Sequence, residues 1–275
     1  MPGRKDWPVH EDWPAHEDLA LLQTTVRAAG AIACRYFGTD YRVWRKEGGS
    51  PVTDADVAVD RYLHEVLTTA RPGYGWLSEE SPDDPSRLSR HQVFVVDPID
   101  GTVAFLKGRP HFTVCAAIVV DGRPACGAVY NPASQEFYAA RTGAGATRNG
   151  VPIHVGARGE LEGCRMLGNR DQFIPPPWPP MQVQNRNSVA YRLALVADGS
   201  ADASVSLSAK RDWDLAAADI ITREAGGTVS DAQGRPLVYN NAGAIQPSLV
   251  AANPKLHAKI VTLLKDGAPQ APKSP

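Results

Sequence analysis

Two carboxylates stand three positions apart at the end of an apolar run, Val93-Phe94-Val95-Val96-Asp97-Pro98-Ile99-Asp100-Gly101-Thr102. Neighbouring carboxylates repel unless a positive charge lies between them. A hard divalent cation is the simplest such partner, because Mg²⁺ takes oxygen ligands and usually shares its shell with substrate phosphate. Asp-Pro and Asp-Gly are also ordinary turn dipeptides, so this stretch alone fits a solvated turn as well as a metal site. Other acids extend the pattern. Glu79 and Glu80 close a second short apolar run, Tyr74-Gly75-Trp76-Leu77-Ser78, Asp56 follows Thr53 by three residues, and Asp214 follows Lys210-Arg211-Asp212-Trp213. Each has a plain structural reading: a capping acid at Asp56, a helix N-cap at Asp214, solvated surface at Glu79-Glu80. Taken together they are all oxygen donors with no His or Cys among them, a mix that favours Mg²⁺ over Zn²⁺.

These acids need elements to carry them. Leu19, Leu22, Val26, Ala29, Ala33 and Phe37 recur at helix spacing, predicting a helix from an Asp18 N-cap to near Gly38. A short strand at Tyr41 to Trp44, a flexible loop from Lys46 to Pro51 and a second helix from Thr53 to about Ala70 follow. The run before Asp97 reads as a buried strand that Pro98 ends. Both acid-tipped runs suggest neighbouring strands delivering carboxylates to one edge. Ser81 to Arg90 reads as a polar loop. Phe112 to Val120, Ala125 to Asn131 and Glu136 to Ala140 form a meander. Arg170 to Pro180 reads as a proline-rich surface loop. Helices are predicted at Ser188 to Ala197, from Asp214 to the Gly226-Gly227 stop, and at Pro254 to Leu264, with strands at Ala203 to Leu207, near Thr228 and at Pro247 to Ala251. The expected organisation is a flexible arm over 1–17 holding a tandem Asp-Trp-Pro repeat, an α+β unit over 18–150, a smaller unit over 151–265 and a disordered tail over 266–275.

The chain has 275 residues, 43% of them hydrophobic, and a formal net charge of −1. That suffices for a large core and gives no reason to expect a nucleic acid polymer or an anionic membrane as partner. No apolar run approaches the roughly 20 residues that span a bilayer, and the N-terminus lacks a secretory pattern. Cys34, Cys115, Cys126 and Cys164 are scattered and read as free thiols of a cytoplasmic protein.

Two signatures carry a resemblance. Asp97-Pro98-Ile99-Asp100-Gly101-Thr102 is similar to the first signature of the inositol monophosphatase superfamily. Trp213-Asp214-Leu215-Ala216-Ala217, with Glu224-Ala225-Gly226-Gly227, is similar to its second, and Glu79-Glu80 sits where that family places its metal-binding glutamate. The similarity runs from about Asp18 to Leu264. It implies a layered α+β and α/β (αβαβα) sugar-phosphatase fold, with an N-terminal antiparallel-sheet domain and a smaller C-terminal α/β domain that contributes Asp214. It also implies a Mg²⁺-dependent phosphomonoesterase acting on a small-molecule phosphate ester with two or three ions per site. On that resemblance Glu79, Asp97 and the Ile99 carbonyl hold one Mg²⁺, Asp97, Asp100 and Asp214 a second, and a third ion lies near Glu79. Thr102 and Asp56 form the pair that orients and deprotonates the attacking water, with Glu80 grouped among the catalytic acids. The Gly101 and Thr102 amides meet the phosphate, and Lys46 is the mobile-loop lysine. A homodimer and lithium sensitivity are further expectations of the family.

The substrate reading is finer. Inositol-specific members carry a glutamate a few residues before the Trp-Asp signature, where this chain has Ser204-Val205-Ser206-Leu207-Ser208 and no acid until Asp212. Thr102-Val103-Ala104-Phe105-Leu106-Lys107-Gly108 looks more like the bacterial 3'(2'),5'-bisphosphate nucleotidase branch. Lys107, Lys210 and Arg211 would then supply charge for a second phosphate, although they also read as plain surface charge. The reading leans to an adenosine 3',5'-bisphosphate type of nucleotide, with inositol phosphate next and other sugar phosphates or histidinol phosphate behind. A non-catalytic metal-dependent regulatory or binding protein is the alternative of another class, since fold does not dictate function, but every metal and water-activating position is filled.

Overall fold

The computed structural model describes residues 15–46, 48–174 and 176–267. Most of the Asp-Trp-Pro repeat and nearly all of the tail lie outside the described residues. In chain order come α1 (Ala15–Tyr36), β1 (Val43–Arg45), β2 (Pro51–Thr53), α2 (Asp54–Ala70), β3 (Gly75–Ser78), β4 (Gln92–Asp100), α3 (Thr102–Leu106), β5 (Thr113–Val120), β6 (Arg123–Asn131), β7 (Glu136–Arg141), β8 (Ala146–Arg148) and β9 (Val151–Ile153). Then follow β10 (Arg165–Leu167), β11 (Gln182–Gln184), α4 (Val189–Ala197), β12 (Ala203–Ser206), β13 (Lys210–Arg211), α5 (Asp212–Glu224), β14 (Thr228–Ser230), β15 (Ile245–Gln246), β16 (Leu249–Ala252) and α6 (Pro254–Asp266).

Strands β3 to β9 form one seven-stranded sheet in chain order. Its central strands read as unbroken apolar runs because both faces are covered. Alternation along β4 shows this: Val93 and Val95 point into one core, Phe94 and Val96 into another. On the second side the Leu22, Val26, Ala29 and Ala33 stripe of α1 and Val59, Leu63 and Leu67 of α2 pack against the sheet. On the first, Leu193 and Ala194 of α4 and Leu215, Ala218 and Ile221 of α5 cover it. The outer faces of α4 and α5 meet a five-stranded sheet of order β11-β10-β12-β16-β14. Leu256 and Ile260 of α6 close its far side against Met166, Val205 and Val250. The result is helix, sheet, helix, sheet, helix, as the resemblance implied.

Several expectations are corrected. Helix α1 begins at Ala15, so residues 15–17 are not part of an arm, and Asp18 is no cap: it is fully buried and accepts from Arg71 Nε at 2.7 Å and Tyr74 Oη at 2.8 Å. Pro98 does not end its strand, which runs on to Asp100 through a register shift. The sheet is not wholly antiparallel, since β3 pairs with β4 in parallel. Asn149-Gly150, expected near a domain boundary, is the turn of the β8–β9 hairpin inside the first sheet. The Ser81 to Arg90 loop holds a short 3-10 turn whose Arg87 is buried, clamped by Asp83 and donating to Asn240 Oδ1 at 2.6 Å. Phe173 and Trp178 anchor the proline-rich segment in the α6 core, with ring centroids 5.1 Å apart, so it is more than a rim. Asp266 and Gly267, assigned to the tail, close α6. No helix among the described residues is long and apolar enough to cross a membrane. Cys115, Cys126 and Cys164 are buried and Cys34 is exposed, all unpaired thiols.

The approach of α5 to the sheet depends on Gly127 of β6. A Cβ there would lie 2.6 Å from the Ala217 carbonyl oxygen and 2.8 Å from Ile220 Cγ2. The first is helix backbone and cannot rotate aside. Overpacking of this kind costs about 1–3 kcal/mol, and each kcal/mol lowers Tm by roughly 2–4 °C in chains near this size. Thermal unfolding of Gly127→Ala should show that loss; an unchanged Tm would mean the helix has room to shift.

Candidate active site

The register shift in β4 puts the two signature aspartates on one face. Asp97 sits opposite Cys115 of β5, and Asp100 opposite Thr113. Three steps on one strand match two on the other, so β4 carries one extra residue. Residues three apart on a regular strand face opposite ways; the bulge cancels that. Both carboxylates therefore emerge on the side that α4 and α5 cover. There Asp100 Oδ2 accepts from Ser188 Oγ at 2.6 Å and from the Ala190 amide at 2.7 Å, at the start of α4. The parallel pairing of β3 with β4 sends Glu79 out at the same edge, where its amide donates to the Val96 carbonyl at 3.3 Å. Asp214 arrives from α5. It is not the N-cap but the third helical residue, and it accepts from the Arg211 amide at 3.0 Å.

One carboxylate oxygen each from Glu79, Asp97 and Asp214 lies within 4.8 Å of the others. Asp97 is 1% exposed, and neither of its oxygens has a hydrogen-bond partner among the described residues. Burial, then the charges of Glu79 and Asp100, hold its carboxyl well above the usual aspartate range. Burial likewise lifts Asp214 to about 7, with Asp100 adding to it. Asp100 rises to about 6 by burial, pulled back by its bonds to Ser188 and the α4 backbone. An ionised carboxylate without partners is costly to bury. These oxygens, all hard donors converging on one space, fit a divalent cation such as Mg²⁺.

The capping box of α2 is formed as its sequence predicts. Asp56 Oδ2 accepts from the Thr53 amide at 2.8 Å and the Thr53 hydroxyl at 2.5 Å. The other oxygen faces Thr102, whose hydroxyl lies 3.4 Å from it and donates to the Ile99 carbonyl at 3.1 Å. Burial lifts Asp56 to about 6. Gly101 has φ 95°, and a Cβ there would lie 2.8 Å from the His111 carbonyl oxygen, so the turn into α3 admits only glycine.

Lys46 does not line the cleft that these acids share but is tied to Glu79 and Glu80. Its ammonium donates to Glu79 Oε1 at 3.2 Å, the Glu79 carbonyl at 3.0 Å and Glu80 Oε1 at 2.7 Å. Burial lifts Glu80 to about 7 against the pull of Lys46. A cleft of about 190 Å³ is lined by Glu79, Asp97, Asp100, Gly101, Thr102 and Asp214, with Asn187. Lys107, Lys210 and Arg211 do not line it. Lys107 follows the far end of α3 and is exposed. Arg211 donates to the Gly243 carbonyl at 3.0 Å and stacks over Trp213. Lys210 bonds Ser208 Oγ at 2.8 Å, yet its charge acts on Asp214 and Asp100. Sequence reasoning missed Ser188, Asn187 and Arg192, whose guanidinium pulls Asp100 back down. They lie far along the chain from the motif, and the one sequence signal beside them is the start of the helix predicted from Ser188.

A sequence profile of the inositol monophosphatase family matches residues 15–267. The inositol-1-monophosphatase of Mesorhizobium japonicum is 35% identical, over 90% of this chain and 96% of its own length. The histidinol-phosphatase of Chlorobaculum parvum is 30% identical, over 90% and 97%. A 3'(2'),5'-bisphosphate nucleotidase of Aggregatibacter actinomycetemcomitans is 28% identical, over 84% and 90%. The crystal structure of the suhB suppressor protein from Bartonella henselae superposes with a TM-score of 0.80 at 28% identity, covering 91% of this chain and 99% of that one. The chain belongs to the inositol monophosphatase family, and is a phosphatase.

Proposed function

We propose that this phosphatase hydrolyses a small phosphate monoester with Mg²⁺ as cofactor. The observation that carries the reading is the pair of buried oxygens on Asp97 that have no hydrogen-bond partner among the described residues. Glu79, Asp97 and the Ile99 carbonyl would hold one ion, and Asp97, Asp100 and Asp214 a second; a third would lie near Glu79. Bound there, the ions supply charge neutralisation for the phosphoryl oxygens and acidify the attacking water. The chain's own groups do the remainder. The Thr102 oxygen takes a proton from the water as its own proton passes to Asp56, 3.4 Å away. Asp56, lifted to about 6, is basic enough to serve near neutral pH. The first amides of α3 have no partner within the helix and would meet the phosphoryl oxygens. Such a transfer asks for positioning and electrostatic support rather than a protein nucleophile. Glu80 would act through Lys46, which it shares with Glu79.

The cleft of about 190 Å³ is smaller than the ~300–1,000 Å³ of pockets that enclose whole drug-sized ligands. It suits a phosphoryl group with the alcohol portion at the mouth. Inositol 1-phosphate is the first substrate reading, favoured by the 35% identical relative. Adenosine 3',5'-bisphosphate is the second. Of the three cations expected for its extra phosphate only Lys210 faces the acids, and Arg211 is engaged elsewhere.

Three outcomes test this. Phosphate release from a panel of esters should require Mg²⁺ and be stopped by a chelator, with inositol 1-phosphate turned over faster than adenosine 3',5'-bisphosphate or histidinol phosphate. The reverse order would install the second substrate, and no release from any ester would sink the proposal. Asp56→Asn keeps an oxygen for the helix cap and removes the base, so kcat should fall by about 10²–10⁴-fold with Mg²⁺ affinity little changed. The third outcome concerns pH. Asp100 and Asp214, raised by burial to about 6 and about 7, stabilise the metal-free fold in full only below the ordinary aspartate pKa of about 4. That contribution is lost as pH climbs through the raised values. Mg²⁺ needs the ionised carboxylates. The Tm increase produced by Mg²⁺ should therefore be small at pH 5.5 and large at pH 8; a pH-independent increase would mean these acids are not the ligands.

A further inference from the structure

We infer that Asp60 is a positioning residue for the Glu79–Glu80 turn, and that through Ser78 and Ser81 it sets where Glu79 stands among the acids. The inference rests on the reading that Glu79 is a metal ligand. Asp60 lies one turn after Asp56 on α2, so the two share a helix face. Asp56 serves Thr102; Asp60 serves the other wall of the site. It is 9% exposed. Its Oδ1 accepts from Ser78 Oγ at 2.5 Å and its Oδ2 from Ser81 Oγ at 2.7 Å. Those serines bracket Glu79 and Glu80 on either side in the chain. Ser78 Oγ in turn accepts from the Glu80 amide at 3.4 Å, and Ser81 Oγ from Trp76 Nε1 at 3.1 Å. With the Glu79 amide on the Val96 carbonyl, the turn is held at both ends and docked on β4.

Only an acceptor-only group gives this network its direction. An ionised carboxylate offers no proton, so both serine hydroxyls must point their hydrogens at Asp60. Their lone pairs are then left for the Glu80 amide and the Trp76 indole. A serine or an asparagine at position 60 would have to donate in one place and would turn one hydroxyl around. The need for such bonds is visible in what lies behind the turn. An open groove of about 560 Å³, which Asp60, Trp76 and Ser81 help to line, takes the place of packed core there. Groups that orient metal ligands in this manner are worth about 10–100-fold in metal affinity or activity.

The test is Mg²⁺ binding by calorimetry to the metal-stripped full chain, without substrate, alongside kcat against Mg²⁺ concentration. Asp60→Ala should weaken Mg²⁺ binding by about 10–100-fold, with kcat recovering toward the wild-type value at saturating Mg²⁺. Asp60→Asn should fall between, and Ser81→Ala, which cuts one arm, should shift affinity in the same direction by less. A tie that serves only the fold would lower Tm and leave the Mg²⁺ dissociation constant alone. Glu79→Gln is the reference. If it loses Mg²⁺ affinity while Asp60→Asn and Ser81→Ala keep the wild-type value, the inference is overturned, even should Asp60→Ala fail to fold. If Glu79→Gln itself binds Mg²⁺ as the wild type does, the ligand reading falls and takes the inference with it.

Discussion

Like charge crowded at one sheet edge is the constraint from which the rest of the structure follows. Burial, and after it the charges of Glu79, Asp100 and Asp214, raise the proton affinity of Asp97, and burial with the charge of Asp100 raises that of Asp214; among the described residues Asp97 has no hydrogen-bond partner to soften the burial. Side-chain contacts cannot hold such a group in place, so the backbone must. β4 is fixed by β3 on one side and β5 on the other, with cores packed on both faces. The bulge between Asp97 and Asp100 then turns both carboxylates the same way. A sheet with solvent on one face would let these acids rotate out into water.

The second half of the chain acts as a carrier for Asp214. Helix α5 reaches the cleft only because it lies close on β6, where Gly127 has no side chain and Ala216, Ala217 and Ala218 keep the helix face small. Its start is fixed by Asp212, which is buried and accepts from the Asn240 amide at 2.7 Å and Gln246 Nε2 at 2.8 Å. Asn240 also receives the buried Arg87 guanidinium. The loop after the two glutamates and the start of α5 are thus tied to one another through the 240 turn. Sandwiched between two sheets, α4 and α5 join what the sequence suggests as two units into one set of layers.

Much of the site was legible because its residues are local in sequence. Asp97 to Thr102 are contiguous, Thr53 and Asp56 obey helix-cap spacing, and Glu79-Glu80 ends a strand. Two apolar runs tipped with acids pointed to neighbouring strands, and the parallel β3–β4 pair has that arrangement. What escaped was set by distance. Ser188, Arg192 and Asn187 meet the motif through the far helix, and Asp60 finds Ser78 and Ser81 only once α2 packs beside β3. Asp18 has the composition of a cap and the surroundings of a core residue, because Arg71 and Tyr74 come to it from α2's end. Pro98 was expected to stop β4, but the bulge accommodates a residue that cannot donate to the ladder. Strands β10 and β11, three residues each, are too short for a periodicity to show.

Asp56 divides its two oxygens between a helix start and the Thr102 hydroxyl, the pair proposed to take the water's proton. A helix N-terminus is ordinarily a lenient place, where several polar residues satisfy the same amides with little to choose among them. That leniency is absent at this position. Glutamine would serve the amide and abolish the proposed base, whereas the longer glutamate would carry its carboxylate past the threonine. The beginning of α2 is therefore constrained by the proposed chemistry as well as by the helix cap, a constraint its outward face does not share. Lineages of this fold that abandon hydrolysis would be released first at this residue, and the helix could begin elsewhere.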